Sequence, residues 1–308
     1  MLSLWVDTLN YPPSFLFLYL GRLVRSLVYL PPSFLFRYLE RLVRSLVLFP
    51  AMDITPIPAL GDNYMYLVVD TWTKEAAVVD PVEPEKCVAA AKQKNANITQ
   101  VWTTHHHHDH AGGNDKISKL IPGIAIHGGD DRIQGLNRKV KDCDRLKLGG
   151  LEVTCMFTPC HTTGHICYFI EGGDGVTPAV FTGDCLFQGG CGRFFEGTAS
   201  QMHTALNVKL ANLPSDTQVY CGHEYTVKNL MYGLHVELNN THIRERLEWA
   251  RAQCGQGLPT VPSTIGGEKL FNVFMRTNEG NIRKRYGVTD VVEVMAALRK
   301  EKDHWRPS

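Results

Sequence analysis

Residues 105–110 read His-His-His-His-Asp-His, five imidazoles and a carboxylate in six positions. Imidazole nitrogen with carboxylate oxygen and no thiolate is a borderline donor set that suits Zn²⁺ and tolerates Fe or Mn. Along an extended segment alternate side chains share a side, so His105 and His107 can face one ion while His106 and His108 turn away into structural positions. Asp109 and His110 then come round at the following turn toward a second ion. A histidine tag would sit at a terminus; this run is internal and broken by an acid. The chain has no Gly-x-Ser-x-Gly elbow, so hydrolytic power would have to come from metal. Two ions roughly 3.5 Å apart can share a water and bring its pKa from 15.7 down towards about 7.

The spacing His105-x-His107-x-Asp109-His110 resembles the signature of the metallo-β-lactamase superfamily, and the later elements of that signature follow in order. Thr158-Pro-Cys-His161-Thr-Thr-Gly-His165 resembles the third element, Phe181-Thr-Gly-Asp184 the fourth and Cys221-Gly-His223-Glu224 the fifth. The resemblance implies two divalent ions, Zn²⁺ first and Fe or Mn as alternatives. His105, His107 and His161 would hold one; Asp109, His110 and His223 would hold the other, with Asp184 as the bridging carboxylate. Asp80 resembles the first element and is expected to orient ligands through hydrogen bonds. His165 is expected to support a ligand; His127, His203, His235, His242 and His304 are expected at the surface or satisfied in the core.

Longer segments narrow the resemblance to glyoxalase II: Ala59–Tyr64, Thr103–Asn114, Thr158–Tyr168, Phe181–Gly197, Tyr220–Thr226 and Arg299–Asp303. That family hydrolyses S-D-lactoylglutathione to glutathione and D-lactate. By position, the resemblance implies a substrate site of Arg193, Phe194, Phe195, His223, Tyr225, Arg299 and Lys302, the last two meeting a glycine carboxylate. It also implies hydroxide attack between the ions, with Asp109 as the catalytic group passing the proton. Arg193 stands where Lys is frequent and Phe195 where Tyr is common, which removes one hydroxyl contact, about 1 kcal/mol. The alternatives from other classes are a glutathione persulfide dioxygenase with one iron and a non-catalytic glutathione-binding relative.

Elements that could position these groups follow from periodicity. Strands are expected at Met65–Val69, Ala76–Val79, Thr99–Thr103, Ile124–His127, Leu151–Phe157, Ile166–Ile170 and Ala179–Phe181, with helices at Pro84–Lys94 and Asn114–Leu120. From Glu224 the pattern turns helical (Asn229–Leu238, Thr241–Cys254, Val291–Lys302), interrupted by a Gly/Pro-rich loop at 255–267. The expected class is α/β: an αββα sandwich over 52–223, then a mostly helical, glutathione-binding domain over 224–308.

Charge is uneven within a net of +1: +3 over residues 1–51, −5 over 52–223 and +3 over 224–308. An acidic metal-binding segment argues against a nuclease or any nucleic-acid partner, and a monomer is expected. Nine cysteines, an odd number without a Cys-x-x-Cys pair, point to a reducing compartment. Pro12–Val28 recurs as Pro31–Val47, identical at 15 of 17 positions. This Arg-bearing, acid-poor, amphipathic stretch has no uncharged run long enough to span a bilayer and reads as a mitochondrial presequence. The expectation is a matrix form for the full chain and a cytoplasmic form for a product begun at Met52.

Overall fold

The computed structural model describes residues 52–172 and 176–307. The chain divides into Met1–Phe49 and Pro50–Ser308; the tandem repeat lies outside the described residues. The first sheet runs β1 (Met52–Ala59), β2 (Asn63–Asp70), β3 (Glu75–Val79), β4 (Asn97–Trp102), β5 (Ala125–Gly128) and β6 (Arg138–Lys139), in that spatial order. Helices α1 (Pro84–Gln93), α2 (His108–Ala111) and α3 (Asn114–Leu120) fall between its strands. The second sheet combines β7 (Arg145–Leu148), β8 (Leu151–Phe157), β9 (Ile166–Ile170), β10 (Ala179–Gly183), β13 (Gln218–Cys221) and β14 (Ser263–Thr264). A two-stranded hairpin, β11 (Leu186–Phe187) with β12 (Gly190–Cys191), follows β10. The later helices are α4 (Ala199–His203), α5 (Thr226–Val236), α6 (Thr241–Gly255), α7 (Ile265–Phe271), α8 (Gly280–Tyr286) and α9 (Val291–His304).

Burial on both faces explains the unbroken apolar character of the central strands. In β2, Tyr64, Tyr66 and Val68 enter the core between the sheets, while Met65, Leu67 and Val69 pack under α1 and α3. The inter-sheet core is aromatic: Trp102 stacks on Tyr168 at 5.6 Å, and Phe181 lies against Tyr66 and Tyr220 at 5.4 and 5.3 Å. A third cluster joins the outer face of the second sheet to α5–α9 through Val180, Val219, Leu230, Phe274 and Leu298. The layers are therefore helix, sheet, sheet, helix, with the C-terminal helices packed on the second sheet.

Several elements lie outside those expected from periodicity, among them the strands β1, β6, β7, β11, β12 and β13. The edge strand β1 carries Pro56 and Pro58, which it tolerates because an edge strand has one unpaired side where a missing N–H costs nothing. Within the segment expected as a loop, Ser263–Thr264 pairs with β13 and Ile265–Phe271 is helical. A two-residue strand is too short to leave a periodic signature, and the Thr264 hydroxyl caps α7 by accepting from Gly267 N at 3.0 Å. None of the described helices is long and apolar enough to cross a membrane.

Candidate metal centre and adjoining cavity

The histidine-bearing turns gather where parallel strands end. β3 with β4, and β10 with β13, run parallel, so Asp80, His105–His110, Asp184 and His223 leave the two sheets at one rim. Backbone bonds tie the sheets together there: Tyr64 N to Gly222 O at 2.8 Å and Ile166 N to Thr104 O at 2.9 Å. Gly183 (φ 44°) is required at the turn, because a Cβ would lie 2.5 Å from Thr104 Oγ1. Gly222 is equally constrained, a Cβ there meeting Asp184 Oδ1 at 2.5 Å.

Four of the imidazoles, those of His105, His110, His161 and His223, are anchored on one nitrogen. Asp80 accepts from Thr104 N (2.8 Å), Thr104 Oγ1 (2.7 Å) and His110 Nδ1 (2.9 Å). With its proton spent on Asp80, Thr104 Oγ1 accepts from His105 Nδ1 at 3.0 Å. His223 Nδ1 donates to Asp62 Oδ1 at 2.9 Å, and His161 Nδ1 to the Arg193 carbonyl at 3.0 Å. These acceptors leave each Nε2 with a lone pair aimed inward. His107 is turned the other way and presents Nδ1.

The inward atoms crowd one another. His107 Nδ1 lies 3.1 Å from both His105 Nε2 and His161 Nε2, and His110 Nε2 lies 3.2 Å from His223 Nε2. Asp184 divides its oxygens, Oδ2 3.4 Å from His161 and Oδ1 3.3 and 3.4 Å from His110 and His223. Oδ1 is buried with no hydrogen bond. Three donor groups emerge: His105–His107–His161, His105–His110–Asp184 and Asp109–His110–His223. Facing lone pairs and a bare carboxylate oxygen are repulsive unless positive charge sits among them, so the residues fit a pair of divalent cations. Protonation tells the same story. Burial drives the pKa of His105 far down and that of His161 down to about 4, which keeps both imidazoles neutral. Burial opposes charge on His223 as well, yet Asp109 and Asp184 push it up to about 10, so the second group calls for a cation.

A cavity of about 470 Å³ opens from this centre towards the helical layer. His161, Asp184, Phe195 and Tyr225 line its inner end; Arg299, Lys302 and Trp305 line its far end. The hairpin β11–β12 forms the bridge between them. Its free backbone acceptors are satisfied by the helical layer: Asn272 Nδ2 donates to Phe187 O and Gly190 O, Asn229 Nδ2 to Gln188 O, and Arg299 Nη1 to Cys191 O at 3.1 Å. Arg299 is buried, and its Nε has no partner.

The family models follow the same division of the chain. That of the metallo-beta-lactamase superfamily matches residues 59–223, and that of the hydroxyacylglutathione hydrolase C-terminus matches 224–305. A protein named cytoplasmic hydroxyacylglutathione hydrolase from Arabidopsis thaliana is 51% identical, covering 83% of this chain and 100% of its own. This chain belongs to the hydroxyacylglutathione hydrolase family. A hydroxyacylglutathione hydrolase from Rippkaea orientalis is 41% identical over 82% of this chain and 99% of its own. Among solved structures, that of ETHE1 from Myxococcus xanthus overlays with a TM-score of 0.61 at 23% identity, covering 83% of this chain and 93% of that one, a likeness of fold alone.

In this hydroxyacylglutathione hydrolase chain the seven expected ligands converge, and five of the expected substrate residues line the cavity: Arg193, Phe195, Tyr225, Arg299 and Lys302. His223 sits under the Tyr225 ring, stacked at 4.8 Å. Phe194 does not reach the cavity; it packs against the apolar cluster beneath the helical layer, since adjacent residues on an extended turn point to opposite sides. Arg193 has a part that its side chain did not announce, because its backbone carbonyl orients His161. His165 donates to or accepts from Thr158 Oγ1 at 2.9 Å and lies parallel to His105, a supporting position. His106 turns towards Asp130 and His108 is exposed. His127 is buried with Nδ1 unpartnered, so it is neither a surface nor a fully satisfied histidine. All nine cysteines are free thiols, seven of them buried.

Sequence reasoning missed Asp62, Asn63, Lys228 and Asn229. Asn63 Nδ2 donates to Asp109 Oδ2 at 3.0 Å, matching the role of Asp62 towards His223. Lys228 and Asn229 stand three and four residues after Tyr225, a helical spacing that places them on its face. Replacing Asp62 frees the His223 ring, so Asp62→Ala is expected to lower affinity for a cation at Asp109, His110 and His223 by about 10–100-fold. Metal content after equilibration against graded chelator measures this; an unaltered profile would remove Asp62 from the centre.

Proposed function

We propose that this chain hydrolyses S-D-lactoylglutathione to glutathione and D-lactate. The observation that carries the reading is one cavity joining a two-group His/Asp centre to a buried arginine with an unpartnered N–H. Two divalent ions, Zn²⁺ first, held by His105, His107 and His161 and by Asp109, His110 and His223 with Asp184 between, would supply Lewis acidity and an activated water. Arg299 and Lys302 bind the glycine carboxylate, and Lys302 is itself positioned by the Asn229 side-chain oxygen. The Tyr225 hydroxyl, raised far above its ordinary pKa by burial and by Asp62, stays protonated and donates to the peptide. Asp109 is 40% exposed, which gives it a route to pass a proton to solvent. A dioxygenase with one iron would leave the second donor group idle. In this reading 52–223 carries the ions and 224–308 the grip on glutathione. Residues 1–51 serve as a mitochondrial presequence, and translation from Met52 leaves a cytoplasmic enzyme.

Turnover of S-D-lactoylglutathione, followed by loss of the thioester absorbance alongside metal content, tests the central reading. His107→Ala and Asp184→Ala are each expected to lower kcat by at least about 100-fold; full turnover in both would refute a binuclear centre.

Lys302 makes substrate affinity depend on pH. Burial, then Arg299, lowers its pKa to about 7. The charged form that holds a carboxylate prevails below that value, so glutathione affinity falls as pH rises through it. Lys302→Arg keeps its charge and is expected to stay flat between about pH 6 and about pH 9. Titration calorimetry decides the matter; a wild-type profile as flat as the variant's would exclude the assignment.

For the presequence, residues 1–51 fused to a fluorescent protein are expected to bring it into mitochondria. A diffuse cytosolic signal would reject that reading.

A further inference from the structure

Resting on the proposed function, we propose that Lys228 grips the second carboxylate of glutathione, the one on its γ-glutamyl end. Tyr225, Lys228 and Asn229 share one face at the start of α5, and all three line the cavity. The first and last of these are already engaged. Tyr225 stacks on His223, while Asn229 bonds the Gln188 carbonyl through its amide and Lys302 through its oxygen. Among the described residues, Lys228 makes no hydrogen bond or ion pair, and its charge repels that of Lys302. Such a placement is suited to an anion that arrives from outside.

Depth separates two anion positions. Arg299 is buried at the floor with Nε free, and Lys302 is half-buried beside it; together they match the two oxygens of one carboxylate. Lys228 and Arg306 are exposed at the rim. The guanidinium of Arg306 is turned onto the backbone carbonyls of Asp303 and Trp305, and Arg193 leans towards Asp303 at 3.7 Å. That leaves Lys228 as the uncommitted cation of the rim. Glutathione carries carboxylates at its two ends with the thiol between them. With the glycine end on the floor and the sulfur towards the His/Asp centre, the γ-glutamyl carboxylate is the group left for the rim.

The test uses the full, metal-loaded chain and three probes: glutathione, γ-glutamylcysteine, which lacks the glycine, and cysteinylglycine, which lacks the γ-glutamyl group. Lys228→Ala is expected to weaken glutathione and γ-glutamylcysteine about fivefold, the scale of one exposed ion pair, and to leave cysteinylglycine unchanged. Lys228→Arg restores the affinity, and the loss with S-D-lactoylglutathione falls on KM rather than kcat. The gap between wild type and Lys228→Ala closes at about 1 M salt, where exposed charges are screened. Equal weakening of all three probes, or weakening of none, overturns the assignment, because a merely structural lysine does not distinguish them. If the wild-type chain binds no glutathione, the functional reading falls and this inference with it; turnover with an unaltered Lys228→Ala profile overturns this inference alone.

Discussion

The structure is organised around a repulsion. Imidazole lone pairs and carboxylate oxygens are brought together within 4.8 Å, an arrangement that a chain alone disfavours. It holds because His105, His110, His161 and His223 are each hydrogen-bonded through the nitrogen that faces away from the centre. Asp80 carries the largest share, since a single buried carboxylate fixes Thr104, His110 and, through Thr104, His105. Its backbone φ of 47° is unfavourable for a residue other than glycine, and it is tolerated where three hydrogen bonds fix the side chain. The convergence of donors is preorganisation for cations, with the cost spread over the strand ends that carry it.

The helical layer completes the site rather than merely flanking it. Its asparagines and Arg299 satisfy the backbone of the hairpin Leu186–Cys191, which leaves the metal rim immediately after Asp184. A backbone left unpaired there would be free to shift, and the residues that follow it, Gly192 and Arg193, touch the cavity directly. Arg299 therefore serves both ends: one N–H on the Cys191 carbonyl, another on Asp303, and Nε left open. Chemistry and binding are coupled through a short stretch of polar contacts.

The departures from expectation have a common physical origin. β1 and the pair Ser263–Thr264 are strands whose membership is decided by neighbours, since an edge position or a two-residue ladder carries no period of its own. Phe194 looked like part of a contiguous binding loop, but an extended backbone sends consecutive side chains opposite ways. The His161 anchor escaped notice because it is a main-chain carbonyl, which every residue type supplies equally.

Spacing by itself pointed to His105, His107, Asp109 and His110 as metal donors, and the family resemblance implied His161, Asp184 and His223 beside them. Histidine and aspartate at spacings of two and one within residues 105–110 are local chemistry, legible without the fold. The central strands were legible for the same reason, because burial on both faces demands continuous apolar runs. Tertiary structure alone decided which nitrogen each imidazole presents and that Asp62 and Asn63 lie behind the second donor group. It also decided that Lys228 shares a cavity with Arg299. These facts depend on contacts between residues as many as 161 positions apart. Such distances in sequence carry no periodicity, so only the packing of two sheets and a helical layer could set them.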